Sequence, residues 1–467
     1  MNPAKSGLVG GIDIGSSSMK WTVYDPGNWK MMQTGSVRYP KGIFLDNSVD
    51  VEYVYRLFKK HLDMLRSMNV EWIGLSSMAP VLIFTDSKWA VYSSIPYNSL
   101  SGSEYFSELD VFEFSSVTGN PLNVQMFPQK ILLMAKKSEK ILKKASLIVD
   151  LNGYLLSRIT GSRQDGPVED INTALEWGMI DIRRRQWWNE IVDYLNLSEK
   201  MPDIVAPEYS RTYRGANICI GTVDTIVSAL GSIGMSKEKS FSTSGSTLCA
   251  GFVSEKYGKS RRLYNDYYFE DKFLINGCNS QYSTILDWAE ELLGMRIDVD
   301  KTDLDRKLPI FLPYLSGERC PLFDTRIRGG FYGMSRSTDR SDLAASVVAS
   351  LAYLAVDMMN ALDKEAKTRL KTMVAGGSLT KSNLGSIISD LTGKDYWILD
   401  YDPATLGASL IGAKAGNLID CYPDDLSKYS AKVRRLTGKP ENGIHRHHLA
   451  GFRDYTRLRD MIIRAGI

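Results

Sequence analysis

The sequence predicts a two-domain α/β protein, on three observations. Its 467 residues exceed what one hydrophobic core usually organises and fit two domains. Near the start, apolar alternation runs through a small-residue turn into more alternation and then into a helix-period pattern. Around residue 220 that character restarts. The expected division is 1–233 and 234–467.

The elements follow in order. "GGIDIGSSSMKWTVYD" (10–25) alternates into Asp13, turns through Gly15, Ser16, Ser17 and Ser18, and resumes at Met19, Trp21, Val23 and Tyr24, so it reads as a β-hairpin. "SVRYP" follows, then a helix "VEYVYRLFKKHLDMLRSM", a strand "EWIGLSSM" and a second hairpin "VLIFTDSKWAVYSSI". Residues 129–160 read as two amphipathic helices. "GANICIGTVDTIVSALGSIG" is a strand, a turn and a helix ending at glycine, and "KSFSTSGSTLCAGFVSE" is a strand, a hydroxyl-rich turn and a strand.

Composition narrows the function classes. Hydrophobic content of 43% and charged content of 24% are those of a soluble globular chain. A formal net charge of +3 gives no footprint for nucleic acid or an anionic membrane. The five cysteines are scattered, odd in number and without a CxxC pair, which argues against a disulfide framework and for a reduced cytosolic setting. No signal peptide is expected at the start, and the apolar helical stretch 343–356 reads as a buried helix too short for a bilayer. "HRHH" within "GIHRHHLAG" reads as a solvated polar loop rather than a metal site. With four histidines in the chain, a carboxylate is the expected proton acceptor.

The hydroxyl-rich tips recur once in each half. Two readings fit a tip of this kind: a plain β-turn, or a cradle whose backbone N–H groups and hydroxyls hold phosphate. A pair of them is able to clasp a polyphosphate from two sides of a cleft.

"GERCPLFD" and "VAGGSLTKSNLGSIISDLTG" add to the hairpin "GIDIGSSSMK", the segment "FPQKILLMAKKSEKILKKASLIVDLNGYLLSRITG", and "GTVDTIVSALG", "STSGSTLCAGF" and "DPATLGASLIGAKAGN". In this order, over nearly the whole chain, they resemble the FGGY carbohydrate kinases of the actin/hexokinase/heat-shock ATPase superfamily. The resemblance implies two actin-like (ribonuclease H-like) domains around a central cleft: an N-terminal one with the sugar side, first phosphate loop and catalytic Asp, and a C-terminal one with the second phosphate loop and adenosine motif. It implies ATP and Mg²⁺ as cofactors. Asp13 then corresponds to the acid that helps hold Mg²⁺, usually through water, while Gly15, Ser16, Ser17 and Ser18 approach the β- and γ-phosphates. Lys20 takes a place often held by a basic residue; a solvated strand-edge lysine is the other reading.

By the same resemblance Asp224 in "GTVDT" is the catalytic base, accepting the proton of the attacking sugar hydroxyl. A helix N-cap is its other reading. Thr243 and Ser244 lie in the second phosphate loop, where Ser242 stands in the usual glycine place. Gly376 and Gly377 resemble the adenosine motif, against the alternative of a helix cap or tight turn, and Asp390 reads as a local cap or pair. Glu318, Arg319, Asp324 and Arg328 form a charged block expected to pair internally near the domain junction.

The sugar side departs from the pattern. Ser77-Met78-Ala79-Pro80 stands where many pentulose kinases have Gln-Met-His-Gly, so Ser77 and Met78 are the substrate candidates. Tyr97 and Ser99 stand for a tryptophan and an aspartate, with no arginine following. The expectation is an ATP-dependent kinase for a ketopentose such as xylulose. Gluconate, glycerol or another polyol are alternatives, as are a chaperone-type ATPase and a non-catalytic nucleotide- or sugar-binding regulator. The expected partner is a small sugar or polyol in the cytoplasm, with no nucleic acid or membrane and a homodimer by default.

Overall fold

The computed structural model describes residues 7–161, 166–279, 281–366, 370–377, 384–424, 426, 433–436 and 443–465. The chain divides into two compact units, and neither is an uninterrupted half. One comprises Met1–Met235, Asp266–Phe273 and Pro403–Tyr429; the other comprises Ser236–Asn265, Leu274–Asp402 and Ser430–Ile467.

The first unit is built on a six-stranded sheet. Its strands, in chain order, are β1 (Leu8–Ile14), β2 (Ser18–Asp25), β3 (Lys30–Arg38), β4 (Val70–Ser77), β5 (Ser210–Tyr213) and β6 (Ala216–Val223). In space they run β5-β6-β4-β1-β2-β3. The expected hairpin is the antiparallel pair β1–β2, while β4 lies parallel to β1 and β6 parallel to β4. Ile12, Ile14, Ile73 and Leu75 are fully buried, each contributing about 1.5–3 kcal/mol by leaving water. Helix Val51–Ser67 covers this core with Val51, Val54, Phe58, Leu62 and Leu65, the i, i+3, i+4 spacing of one face. Asp50 caps it by accepting the Tyr53 N–H at 2.9 Å.

Helix Pro403–Ala415 returns to this same sheet, which is why the late segment belongs to the first unit. It approaches β1 so closely that a Cβ on Gly11 would stand 2.0 Å from the Thr405 carbonyl oxygen. The Thr22 and Thr405 hydroxyls meet at 2.9 Å beside that contact.

The second unit repeats the plan. Its strands are β7 (Lys239–Ser244), β8 (Leu248–Ser254), β9 (Tyr264–Tyr267), β10 (Phe273–Cys278), β11 (Thr372–Gly377), β12 (Asp395–Leu399) and β13 (Val433–Leu436), in the spatial order β9-β10-β8-β7-β11-β12-β13. Again a central antiparallel hairpin, β7–β8, is flanked by two parallel strands, β11 beside β7 and β12 beside β11. The recurrence noted in the sequence is thus a recurrence of topology.

Several expectations are corrected. Residues 129–160 form three helices, Pro128–Lys137, Glu139–Lys144 and Leu151–Thr160, because Ser138, at φ −146° and ψ 39°, leaves the helical region and a short strand, Leu147–Val149, follows the second helix. The apolar stretch 343–356 belongs to a 27-residue helix, Arg340–Ala366, long enough to cross a membrane, yet 89% of its most apolar window is buried in the protein. Cys249 and Cys278 form a disulfide, against the expectation of none, because the sheet places β8 beside β10. "HRHH" lies in helix Gly443–Ala465, not in a loop; His448 is buried with Nε2 3.9 Å from Asp305 Oδ1, and the His445 side chain is outside the described residues.

Candidate active site

Asp13 and Asp224 come from neighbouring parts of one sheet. Asp13 is the penultimate residue of β1 and Asp224 directly follows β6. Between them lies β4, whose Ser76 pairs with Asp13 on one side and Thr222 on the other, and whose Ser77 pairs with Ile14 and Val223. Two strand spacings separate β1 from β6, about 10 Å. All three strands are parallel, so both acids and the β4 terminus share the carboxyl end of the sheet, where open α/β sheets bind ligands.

Asp13 is 5% exposed, and Ser76 Oγ donates to its Oδ1 at 2.8 Å. Lys20 sits opposite it across the hairpin, with Nζ 3.9 Å from Oδ2. The tip between β1 and β2 closes by Gly15 N–H donating to the Ser18 carbonyl at 3.0 Å. Ser17 is exposed, while Gly15, Ser16 and Ser18 are half-buried.

Asp224 opens helix Asp224–Ile233 as its first residue; the cap position is Val223, so the N-cap reading is corrected. The half-buried carboxylate accepts from Thr225 Oγ1 at 3.4 Å, and a first-turn acid complements the positive end of the helix dipole. Ser77 and Met78 are buried at the end of β4, where Met78 N–H donates to the Ile14 carbonyl at 3.0 Å. The structure therefore brings together Asp13, the serine tip, Lys20, Ser77, Met78 and Asp224 on one sheet. Ser99 bonds Asn47 Oδ1 at 2.6 Å, and the Tyr97 carbonyl accepts from the buried Lys130 ammonium at 3.2 Å.

Thr243, Ser244, Gly376 and Gly377 form a second group, in the other unit. They end the parallel strands β7 and β11 in register, Thr243 with Gly376 and Ser244 with Gly377. Gly377 has φ +104°, and a Cβ there would lie 2.0 Å from the Ser244 carbonyl oxygen, so this close approach requires glycine. The cap reading of the pair is corrected to a strand end; residues 378–383 of that motif are outside the described residues. Ser242 is a regular strand residue opposite Ala250 and Ala375, with no left-handed φ, so a side chain there does not disturb the backbone. The tip is tied down by Leu248 N–H donating to Asn279 Oδ1 at 2.8 Å and Tyr282 N–H donating to the Ser246 carbonyl at 2.7 Å.

In the charged block, Glu318 Oε1 accepts the Arg319 backbone N–H at 2.7 Å. Asp324 pairs with Arg326 at 3.0 Å, Arg319 donates to the Asn279 carbonyl at 2.8 Å, and Arg328 donates to the carbonyls of Thr325, Arg326 and Ile327.

Sequence reasoning missed Ser76 and three buried acids. Glu169 accepts the Asp150 N–H at 2.9 Å and the Asp170 N–H at 3.2 Å. Asp150 accepts from Val81 N–H at 2.9 Å and Trp177 Nε1 at 3.0 Å, and Asp170 accepts from Asn172 N–H at 3.0 Å. Burial pushes Asp150 up to about 7 and Asp170 to about 6, and raises Glu169 well above the usual carboxylate range. Among the described residues no group of three or more His, Cys, Asp or Glu side chains is arranged to hold a metal ion.

Residues 242–416 match the FGGY family of carbohydrate kinases, C-terminal domain. The chain is 24% identical over 452 residues to the xylulose kinase of Lactococcus lactis subsp. lactis, covering 88% of each. Its fold matches the solved xylulose kinase of Lactobacillus acidophilus, with a TM-score of 0.85 at 20% identity and 98% of each chain covered. It also matches the gluconate kinase of the same organism, with a TM-score of 0.84, again at 20% identity and 98% coverage of each. The two-domain α/β fold is therefore that of these kinases.

Proposed function

We propose that the chain, whose residues 242–416 match the FGGY family of carbohydrate kinases, C-terminal domain, is a kinase of that family and transfers the γ-phosphate of ATP to a hydroxyl of a ketopentose such as xylulose. The single observation carrying the reading is the placement of Asp13 and Asp224 at the carboxyl ends of parallel strands flanking β4. Phosphoryl transfer asks little covalent chemistry of a protein: in-line positioning, charge neutralisation and a base.

Asp224 takes the proton of the attacking hydroxyl. Ser77 and Met78, on the strand end between the two acids, line the acceptor side. The serine tip, with Gly15, Ser16, Ser17, Ser18 and Lys20, holds the β- and γ-phosphates; within the second unit taken by itself, Thr243 and Ser244 belong to a hydroxyl-bearing tip of the same phosphate-binding kind. Gly376 and Gly377 receive the adenosine. A nearly buried carboxylate beside a hydroxyl-lined tip suits Mg²⁺, which favours one or two carboxylates, water and phosphate oxygens. Asp13 would hold that ion, which when bound neutralises charge on the phosphate oxygens.

The xylulose assignment follows the relatives named xylulose kinase. Gluconate is the second reading, supported by the equal match to a gluconate kinase and by the altered sugar side, where Ser77, Met78, Tyr97 and Ser99 stand. The test is ADP release from MgATP with a panel of ketoses, aldonic acids, polyols and glycerol. Stimulation by xylulose supports the assignment, and stimulation by an aldonic acid alone replaces it. Sugar-independent turnover identifies an ATPase, and nucleotide binding without turnover identifies a regulator.

A further inference from the structure

Tyr39 directly follows β3, and its backbone N–H donates to the Ser17 carbonyl at the serine tip, 2.9 Å away. Its ring is wedged between Phe44, with centroids 5.4 Å apart, and Tyr53, edge-on at 6.2 Å. Its hydroxyl is buried and has no hydrogen-bond partner among the described residues. Burial and the nearby charge of Asp13 both raise the phenol far above its ordinary range. A buried hydroxyl without a partner is rare and destabilising. Here the residue that carries one is tied by its own backbone to the serine tip.

Resting on the phosphate-binding reading of that tip, we propose that Tyr39 is a nucleotide-binding residue whose buried hydroxyl, unpartnered among the described residues, donates to an oxygen of the magnesium–triphosphate held at Asp13. The chemistry is specific. The hydroxyl is a donor, and phosphate oxygens are acceptors only. The wedged ring has little freedom to lose when the bond forms, so the donor is preorganised. A ligand lacking the terminal phosphates gains nothing from it.

Tyr39→Phe in the full-length protein tests this, because it deletes only the hydroxyl and leaves the packing. Three quantities are read: the thermal midpoint without nucleotide, the dissociation constant for MgATP by calorimetry, and the affinity for AMP by competition. The expected result is a midpoint unchanged or raised, MgATP binding weakened about tenfold or more, and AMP binding unchanged. A lowered midpoint with unchanged MgATP affinity would make the hydroxyl a packing feature and overturn the inference. Equal weakening of MgATP and AMP would place its effect away from the terminal phosphates and overturn it as well. If the wild-type protein itself binds no MgATP, the kinase reading fails before Tyr39 is at issue.

Discussion

Asp13 and Asp224 stand at the carboxyl ends of two parallel strands with one strand, β4, between them. That relationship does not depend on any side-chain rotamer, because strand order and register fix it. It places one nearly buried acid against a hydroxyl-lined tip and one half-buried acid at the first turn of a helix. The proposed division of labour between metal holder and base rests on those two surroundings.

Ser76 donates to Asp13 at 2.8 Å from the intervening strand. A hydrogen bond to a charged group contributes about 1.5–3 kcal/mol. Ser76→Ala is expected to leave the fold intact and lower kcat/KM for MgATP about tenfold, with a higher Mg²⁺ requirement in steady-state kinetics. Unchanged Mg²⁺ dependence would remove Ser76 from the site.

Gly377→Ala should be poorly tolerated. Its φ of +104° and the Ser244 carbonyl oxygen 2.0 Å from a Cβ leave no room for a methyl group. A strained backbone of this kind costs about 1–3 kcal/mol, and moving β11 away from β7 would spoil the second tip. Urea denaturation should show that loss, and the ATP-induced thermal shift should shrink with it.

Cys249 and Cys278 are bonded, and Cys219, Cys320 and Cys421 are free. Alkylation of the unfolded, unreduced protein should label three cysteines, and all five after reduction. Serine substitutions at the bonded pair are expected to cost about 2–4 kcal/mol. Five labelled cysteines without reductant would contradict the bond.

Stability should fall as pH rises through neutrality. Asp150 and Asp170 are raised to about 7 and about 6 by burial, with Glu169 also raised, above an unfolded carboxyl range near 4. Groups raised in the folded state contribute stability that is fully present below the unfolded pKa and is lost as pH climbs through the folded one. The urea midpoint should therefore decline between about pH 5 and pH 8. A midpoint that rises across this interval would contradict the buried, protonated trio.

The sequence made local structure legible and long-range assembly illegible. The two hairpins were readable because period-2 alternation and small-residue tips are short-range signals. The tie between Cys249 and Cys278 was not, since the two are 29 residues apart and meet only through the order of β8 and β10. The return of helix Pro403–Ala415 to the first unit was equally hidden. In the last helix the buried residues His448, Tyr455, Arg459 and Ile462 recur at helical spacing, but arginines and histidines mask the stripe. Asp13 and Asp224 were found by resemblance; Ser76 and Tyr39 surfaced only when β4 and the residue after β3 were set beside the tip.

The most direct test is turnover and nucleotide binding of Asp224→Asn in parallel with wild type, using whichever sugar the panel selects. A general base contributes about 10²–10⁴-fold, so phosphorylation should fall by that factor while the MgATP dissociation constant stays unchanged. Full turnover by the Asn variant would contradict the account.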